Sequence, residues 1–188
     1  MTSIVKELYL KSIPVELQKE LKIKNKYAVP LLKKIVVNIG IGSHITKQGK
    51  KDYETFVDSM KLITGQCPVV RKAKKAISNF KLRQGMPVGL VVTLRGRRMY
   101  DFITKLINIA LPRIRDFQGL SVKGFDKEGN YNIGVKEHTI FPEINVENVT
   151  NIHGLQINIV TSADNNYGAF MLLKKMNFPF KDEVRPNI

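Results

Sequence analysis

Apolar and polar positions alternate most cleanly from Lys33 to Ile41. Ile35, Val37, Ile39 and Ile41 fall on one side, and Lys34, Val36, Asn38 and Gly40 on the other. A period of two is that of an extended strand with one face buried. The same alternation predicts a strand over Val88 to Arg95, with Leu90, Val92 and Leu94 inward and Thr93 and Arg95 outward. It predicts a third from Leu155 to Ser162, with Leu155, Ile157 and Ile159 inward and Gln156 and Asn158 outward. Val69 to Arg71 and Ser78 to Arg83 read as further strands, with Gly85, Pro87 and Gly89 marking turns. Helical spacing replaces alternation at Tyr53, Phe56, Val57, Met60 and Ile63, where Gly65 supplies a stop. It returns at Met99, Ile103, Leu106, Ile107 and Ala110, ending near Pro112. Residues 4–24 predict a first helix with Leu8, Leu17 and Leu21 among its apolar positions, started, kinked or interrupted by Pro14. Asn25 to Pro30 is a connector, Gly119 to Gly134 a long loop or hairpin, and residues 164–176 a last short helix.

Strands and helices interleave irregularly, without internal repeats or low-complexity tracts. That order predicts an α+β fold, a mostly antiparallel sheet with its helices packed on one face and the other face open. The 188 residues suit a single domain, 1–188, enough to bury roughly two thirds of the unfolded surface. Within it, 1–30 form the N-terminal helix and connector. If the three alternating strands share one sheet, Asn38, Thr93, Arg95, Gln156 and Asn158 give it a polar and basic outer face. Such a face, ringed by Lys and Arg, suits RNA shape, 2′-hydroxyls and phosphates.

Charge sharpens that reading. Thirty-one Lys and Arg against 16 Asp and Glu leave a formal +15, a surplus that points to a polyanionic partner. It is concentrated: no acidic residue lies between Asp58 and Asp101, while Lys61, Arg71, Lys72, Lys74, Lys75, Lys81, Arg83, Arg95, Arg97 and Arg98 do. Unneutralised basic charge on this scale releases counterions from phosphates. A membrane partner fits less well, since no apolar run approaches the roughly 20 residues of a bilayer span. A membrane-surface helix would have to be the first one, which lacks the bulky apolar face required. Met1 to Lys11 mixes charges through its length and carries no secretory signal. The lone Cys67 excludes an intramolecular disulfide and fits a reducing compartment.

Catalytic and cofactor signatures are missing from the sequence. Gly40-Ile41-Gly42 follows a strand, but Ile45 stands where a dinucleotide fingerprint needs its third glycine. No phosphate loop ends in Gly-Lys-Ser/Thr. His44, His138 and His153 are scattered and, with one cysteine, offer no metal-ligand spacing. Cys67 has no local histidine to make it a nucleophile. Glu137 and His138 adjoin, and on a strand would point to opposite faces. No catalytic residue, metal or cofactor is expected, and an RNA-modifying or nucleotide-using enzyme is the reading set aside. RNA-module signatures fail as well: Lys123-Gly124-Phe125 is broken by Asp126 and Glu128, and no glycines lie three apart. Only Phe80 and Tyr100 are aromatic in the basic stretch, so structured RNA fits better than stacked single strands.

Several long motifs occur in order: KKIVVNIGIG from Lys33, TGQCP from Thr64, RKAKKAISNFKLRQGMPVG from Arg71 and VVTLRGRRM from Val91. ALPRIRDFQGL from Ala110, GNYNIGVKEHTIFPEI from Gly129 and MNFPF from Met176 complete the series. Together they resemble the bacterial-type large-subunit ribosomal protein family number five, across nearly the whole chain. That resemblance implies a structural, non-enzymatic protein of the large ribosomal subunit, in the cytoplasm of a bacterium or in an organelle. It implies binding to 5S rRNA in the central protuberance, alongside large-subunit rRNA, with Asn38, Gln66, Thr93 and Arg95 at positions matching RNA-contact motifs. It also implies that the basic loop with Lys72, Lys74, Lys75, Lys81, Arg83 and Gln84 faces P-site tRNA. Residues 113–146, a projecting loop region, would reach small-subunit protein number thirteen in an inter-subunit bridge. Cys67 departs from the basic residue common in relatives, and the tail after Phe180 matches no motif.

Overall fold

The computed structural model describes residue 9 and residues 12–48, 53–145 and 151–181. Its strands are β1 (Leu32–Gly40), β2 (Val69–Lys72), β3 (Pro87–Leu94), β4 (Tyr131–Val135) and β5 (Leu155–Thr161). They form one five-stranded sheet in the order β2-β3-β1-β5-β4. β2 and β3 are antiparallel, with Val69 opposite Val91 and Arg71 opposite Gly89. Together with helices, this is the α+β, antiparallel architecture that the alternation predicts.

Burial follows the expected parity. Ile35, Val37, Ile39, Leu90, Val92, Leu94, Leu155, Ile157 and Ile159 are all buried. On the opposite side Thr93 and Gln156 are exposed, and Val36, Asn38 and Asn158 are half-buried. Each buried aliphatic side chain contributes about 1.5–3 kcal/mol relative to exposure. A one-residue slip would turn this whole set to water, which pins the register.

The described residues fall into two compact units. One comprises those of 1–35, 95–133 and 158–188. Here α1 (Ile13–Glu20) begins with Pro14 in its first turn, where a missing N–H costs nothing. Its Leu17 is buried, while Leu8 of the expected longer helix lies outside the described residues. The Tyr9 hydroxyl accepts the Leu32 N–H at 2.7 Å in a buried contact. α4 (Gly96–Lys105) continues into a widened turn, Leu106–Ala110, and a 3-10 turn, Leu111–Arg113. Pro112 has no N–H for the carbonyl four residues back, so the regular helix gives way there. Gly119 to Gly134, expected as loop or hairpin, holds the bridge Phe125 to Tyr131 and the start of β4. Asp126 shapes that turn by accepting the Glu128 and Asn130 N–H groups at 2.9 and 2.8 Å. α5 (Asn166–Lys175) is capped by Asn165, whose side chain accepts the Gly168 N–H at 2.8 Å.

The other unit comprises the described residues of 36–94 and 134–157. Here α3 (Glu54–Thr64) stops at Gly65, which takes the left-handed conformation (φ 65°) that the sequence assigns it. α2 (Gly42–Gln48), which the apolar spacing does not predict, packs with α3 against β3. The strand expected over Ser78 to Arg83 is not one. Ser78–Phe80 is a 3-10 turn, followed by Lys81 at φ 52° and flanked by an Ile77 to Leu82 bridge. Four residues between bridge partners leave room for a turn but not for a paired strand. No helix among the described residues is long and apolar enough to cross a membrane.

Candidate nucleic-acid interface

In the second unit, β1, β3, β2 and the start of β5 present a surface opposite their buried residues. Asn38 is half-buried on β1. A Cβ on Gly89 would come 3.2 Å from the Ile39 carbonyl and 3.8 Å from Asn38 Oδ1. The bare glycine therefore lets β3 lie close against the β1 backbone beside that carboxamide. Thr93 stands exposed on β3, and Arg71 on β2 is exposed as well. Among the described residues, neither the Asn38 carboxamide nor the Thr93 hydroxyl has a hydrogen-bond partner. Hydrogen-bonding groups left open on a sheet face are free to bind polar ligands.

Gln66 reaches this surface from the loop after α3. The Thr64 hydroxyl donates to the Met60 carbonyl at 2.7 Å and accepts the Gln66 N–H at 3.3 Å, so the left-handed stop leads into a fixed turn. From there Gln66 Nε2 donates to the Thr93 carbonyl at 3.3 Å. The structure thus brings Asn38, Gln66 and Thr93 onto one unit and links the last two directly. Arg95 belongs to the first unit, where its Nη1 donates to the Lys33 carbonyl at 3.4 Å and Gly96 (φ 56°) turns the chain into α4. Asn158, also in the first unit, has an enclosed Oδ1 with no partner among the described residues. Alternation turns that residue outward without assigning it a role.

The basic loop is an ordered hairpin. The Ala73 N–H donates to the Met86 carbonyl at 2.8 Å, and Ile77 and Leu82 exchange bonds at 3.0 Å. Lys72, Lys74, Lys75, Lys81, Arg83 and Gln84 are all on it; Lys72, Lys74, Lys75, Lys81 and Arg83 carry its charge. Among the described residues none of these cations has an ion-pair partner. Unpaired cations on a structured hairpin can meet phosphates without first giving up a carboxylate.

The three histidines are scattered along the sequence, yet they gather in the second unit. His138 and His153 stack with ring centroids 3.8 Å apart, and Phe56 lies 5.0 Å from His153 and 5.1 Å from His44. The backbone N–H of His153 lies 3.4 Å from His138 Nδ1 and donates to it. His153 Nδ1 in turn donates to the Asn151 carbonyl at 3.3 Å, leaving its buried Nε2 without a partner. Burial pushes His138 down, and burial plus the neighbouring rings push His153 down to about 4. Both are neutral near pH 7. Among the described residues no group of His, Cys, Asp and Glu is suited to hold a metal. No spacing rule links positions 44, 138 and 153, so only the fold could reveal the stack.

The comparisons with known proteins cover almost the whole chain. Residues 25–83 match the family model described as ribosomal protein L5, and residues 87–180 match the model for the C-terminus of the same ribosomal family. The large ribosomal subunit protein uL5 of Chloroflexus aggregans is 50% identical over 182 residues, covering 97% of this chain and 100% of the relative. The protein of the same name from Geotalea daltonii is 52% identical, covering 94% and 97%. That from Herpetosiphon aurantiacus is 51% identical, covering 95% and 98%.

Proposed function

The chain belongs to the ribosomal protein L5 family, a structural component of the large ribosomal subunit, and from that premise we propose that it binds 5S rRNA through its open sheet face. Asn38, Gln66 and Thr93 supply the polar contacts, and Arg95 a cation. The reading rests chiefly on one observation: the Asn38 carboxamide and Thr93 hydroxyl stand unpartnered, among the described residues, on the face opposite the core. These groups suit 2′-hydroxyls and phosphate oxygens, the features by which folded RNA is recognised. In this reading the protein fastens 5S rRNA in the central protuberance and touches large-subunit rRNA. Its hairpin of Lys72, Lys74, Lys75, Lys81, Arg83 and Gln84 faces P-site tRNA. Residues 113–146 meet small-subunit protein number thirteen across the subunit interface.

The purified chain should bind isolated 5S rRNA far more tightly than an unrelated structured RNA of equal length. Filter binding across a salt series measures both affinities. Binding should weaken steeply with salt, by orders of magnitude over a few-fold rise, because phosphate contacts dominate. Equal affinity for the two RNAs would remove the specific claim and leave only general RNA attraction.

A further inference from the structure

A second stretch of the sequence also lacks acidic residues: none lies between Glu20 and Asp52. Its opening, Lys22-Ile23-Lys24-Asn25-Lys26-Tyr27, lies in the first unit. Lys22, Lys24 and Lys26 are exposed, and Tyr27 is 92% exposed, more than any other large hydrophobic side chain among the described residues. Aromatic side chains bury large apolar area when they can, so a ring held fully in water needs another explanation.

The turn that carries it is ordered. Asn25 Oδ1 accepts the Tyr27 N–H at 3.0 Å, and the Ala28 N–H donates to the Asn25 carbonyl at 3.0 Å. The Ile23 N–H donates to the Gln18 carbonyl at 3.1 Å, and the buried Val29 and Pro30 anchor the exit. Lys22 takes a left-handed conformation at φ 52°, which L-residues rarely adopt. Among the described residues the ring and hydroxyl of Tyr27 have no aromatic or hydrogen-bond partner. The carboxylates nearest in sequence, Glu16 and Glu20, are held by Lys175 at 3.1 and 2.7 Å. One ammonium offsets only part of their charge, and with Lys22, Lys24 and Lys26 beside them the local balance stays positive.

We propose that this turn is an additional RNA-binding site, in which Tyr27 stacks on an unpaired base while Lys22, Lys24 and Lys26 hold the flanking phosphates. An aromatic platform beside a basic track is the chemistry of single-stranded nucleic-acid binding. A membrane surface suits it less, because a bilayer takes up an apolar face of several bulky residues and here one ring stands alone. The proposal uses none of the residues assigned to the sheet face, and it stands or falls separately from 5S rRNA binding.

The test uses the full chain, with Lys74, Lys75, Lys81 and Arg83 replaced by Gln to remove the competing hairpin. A labelled single-stranded oligouridylate is the probe, read by fluorescence anisotropy. In that background Tyr27→Ala should weaken binding about tenfold, whereas Tyr27→Phe, which keeps the ring, should stay within about twofold. Replacing Lys22, Lys24 and Lys26 together by Gln should reduce the slope of log affinity against log salt by about two. The proposal is overturned if Tyr27→Ala binds like its parent, or if the parent binds no oligouridylate. It is also overturned if Tyr27→Ala loses binding to phosphatidylserine vesicles while keeping the RNA.

Discussion

Thr93→Asp is expected to reduce 5S rRNA affinity on the order of a hundredfold or more while leaving the fold intact. The position is exposed on β3, on the side opposite the core, so the substitution is inexpensive for stability. Two losses then combine at the RNA. The hydroxyl hydrogen bond disappears, at about 1–3 kcal/mol if it meets a buried RNA group. In its place a carboxylate faces phosphates, and like charges about 5 Å apart at a surface repel by several kcal/mol. Thr93→Val keeps the shape and removes only the hydroxyl, and so should lose about tenfold. Titration of the three proteins against 5S rRNA, with urea unfolding as a control for folding, separates the terms. If Thr93→Asp binds like the parent, β3 does not carry the interface.

The second large effect concerns acid. His153 is buried, its Nε2 has no hydrogen-bond partner among the described residues, and His138 lies stacked against it. Its value in the folded chain is about 4, against 6.5 ordinarily. A depressed folded value means that the unfolded chain takes up the proton first. The stability that His153 contributes is therefore complete above about pH 6.5, is lost as pH falls towards 4, and changes no further below that. Between pH 7 and pH 5 the loss should be about 2 kcal/mol, and His138, also depressed, acts in the same direction. His153→Phe keeps a ring against Phe56 and cannot be protonated. Urea denaturation at the two pH values should show a markedly smaller drop for this variant. An equal drop in both proteins would place the acid sensitivity elsewhere.

Much of the candidate interface is legible in the sequence, for a physical reason. A strand with one buried face must alternate, so Ile35, Val37 and Ile39 fix where Asn38 points, and Leu90, Val92 and Leu94 do the same for Thr93. Gly65 marks the end of α3 because a left-handed stop favours glycine. Gln66 is different: its place beside Thr93 depends on a contact between residues 27 apart in sequence. No local pattern encodes that, and only the family motif points to it. The misread strand at Ser78 to Arg83 shows the opposite failure. Ile77, Phe80 and Leu82 have strand-like composition, but β-propensity is realised only when a partner strand is available, and the segment folds back on itself instead. The cluster of Phe56 and the three histidines is hidden in the sequence because the histidines come from α2, from the turn after β4 and from the residues just before β5.

Charge patterning is the least specific signal and also the most durable one. It marks the hairpin from Lys72 to Gln84 as a surface for polyanions, and the hairpin proves ordered, with exposed cations that have no described ion pairs. Charge alone, however, attracts every RNA alike. Discrimination has to come from placed hydrogen-bonding groups, and in the second unit Asn38, Gln66 and Thr93 are the candidates for that role.

The most direct measurement is a structure of the assembled large subunit containing this chain, at a resolution that shows individual side chains. 5S rRNA is expected on the open face, with ribose hydroxyls or phosphate oxygens about 3 Å from the Thr93 hydroxyl and the Asn38 carboxamide. A subunit in which that face is bare, or covered by another protein while 5S rRNA lies elsewhere, would contradict that placement.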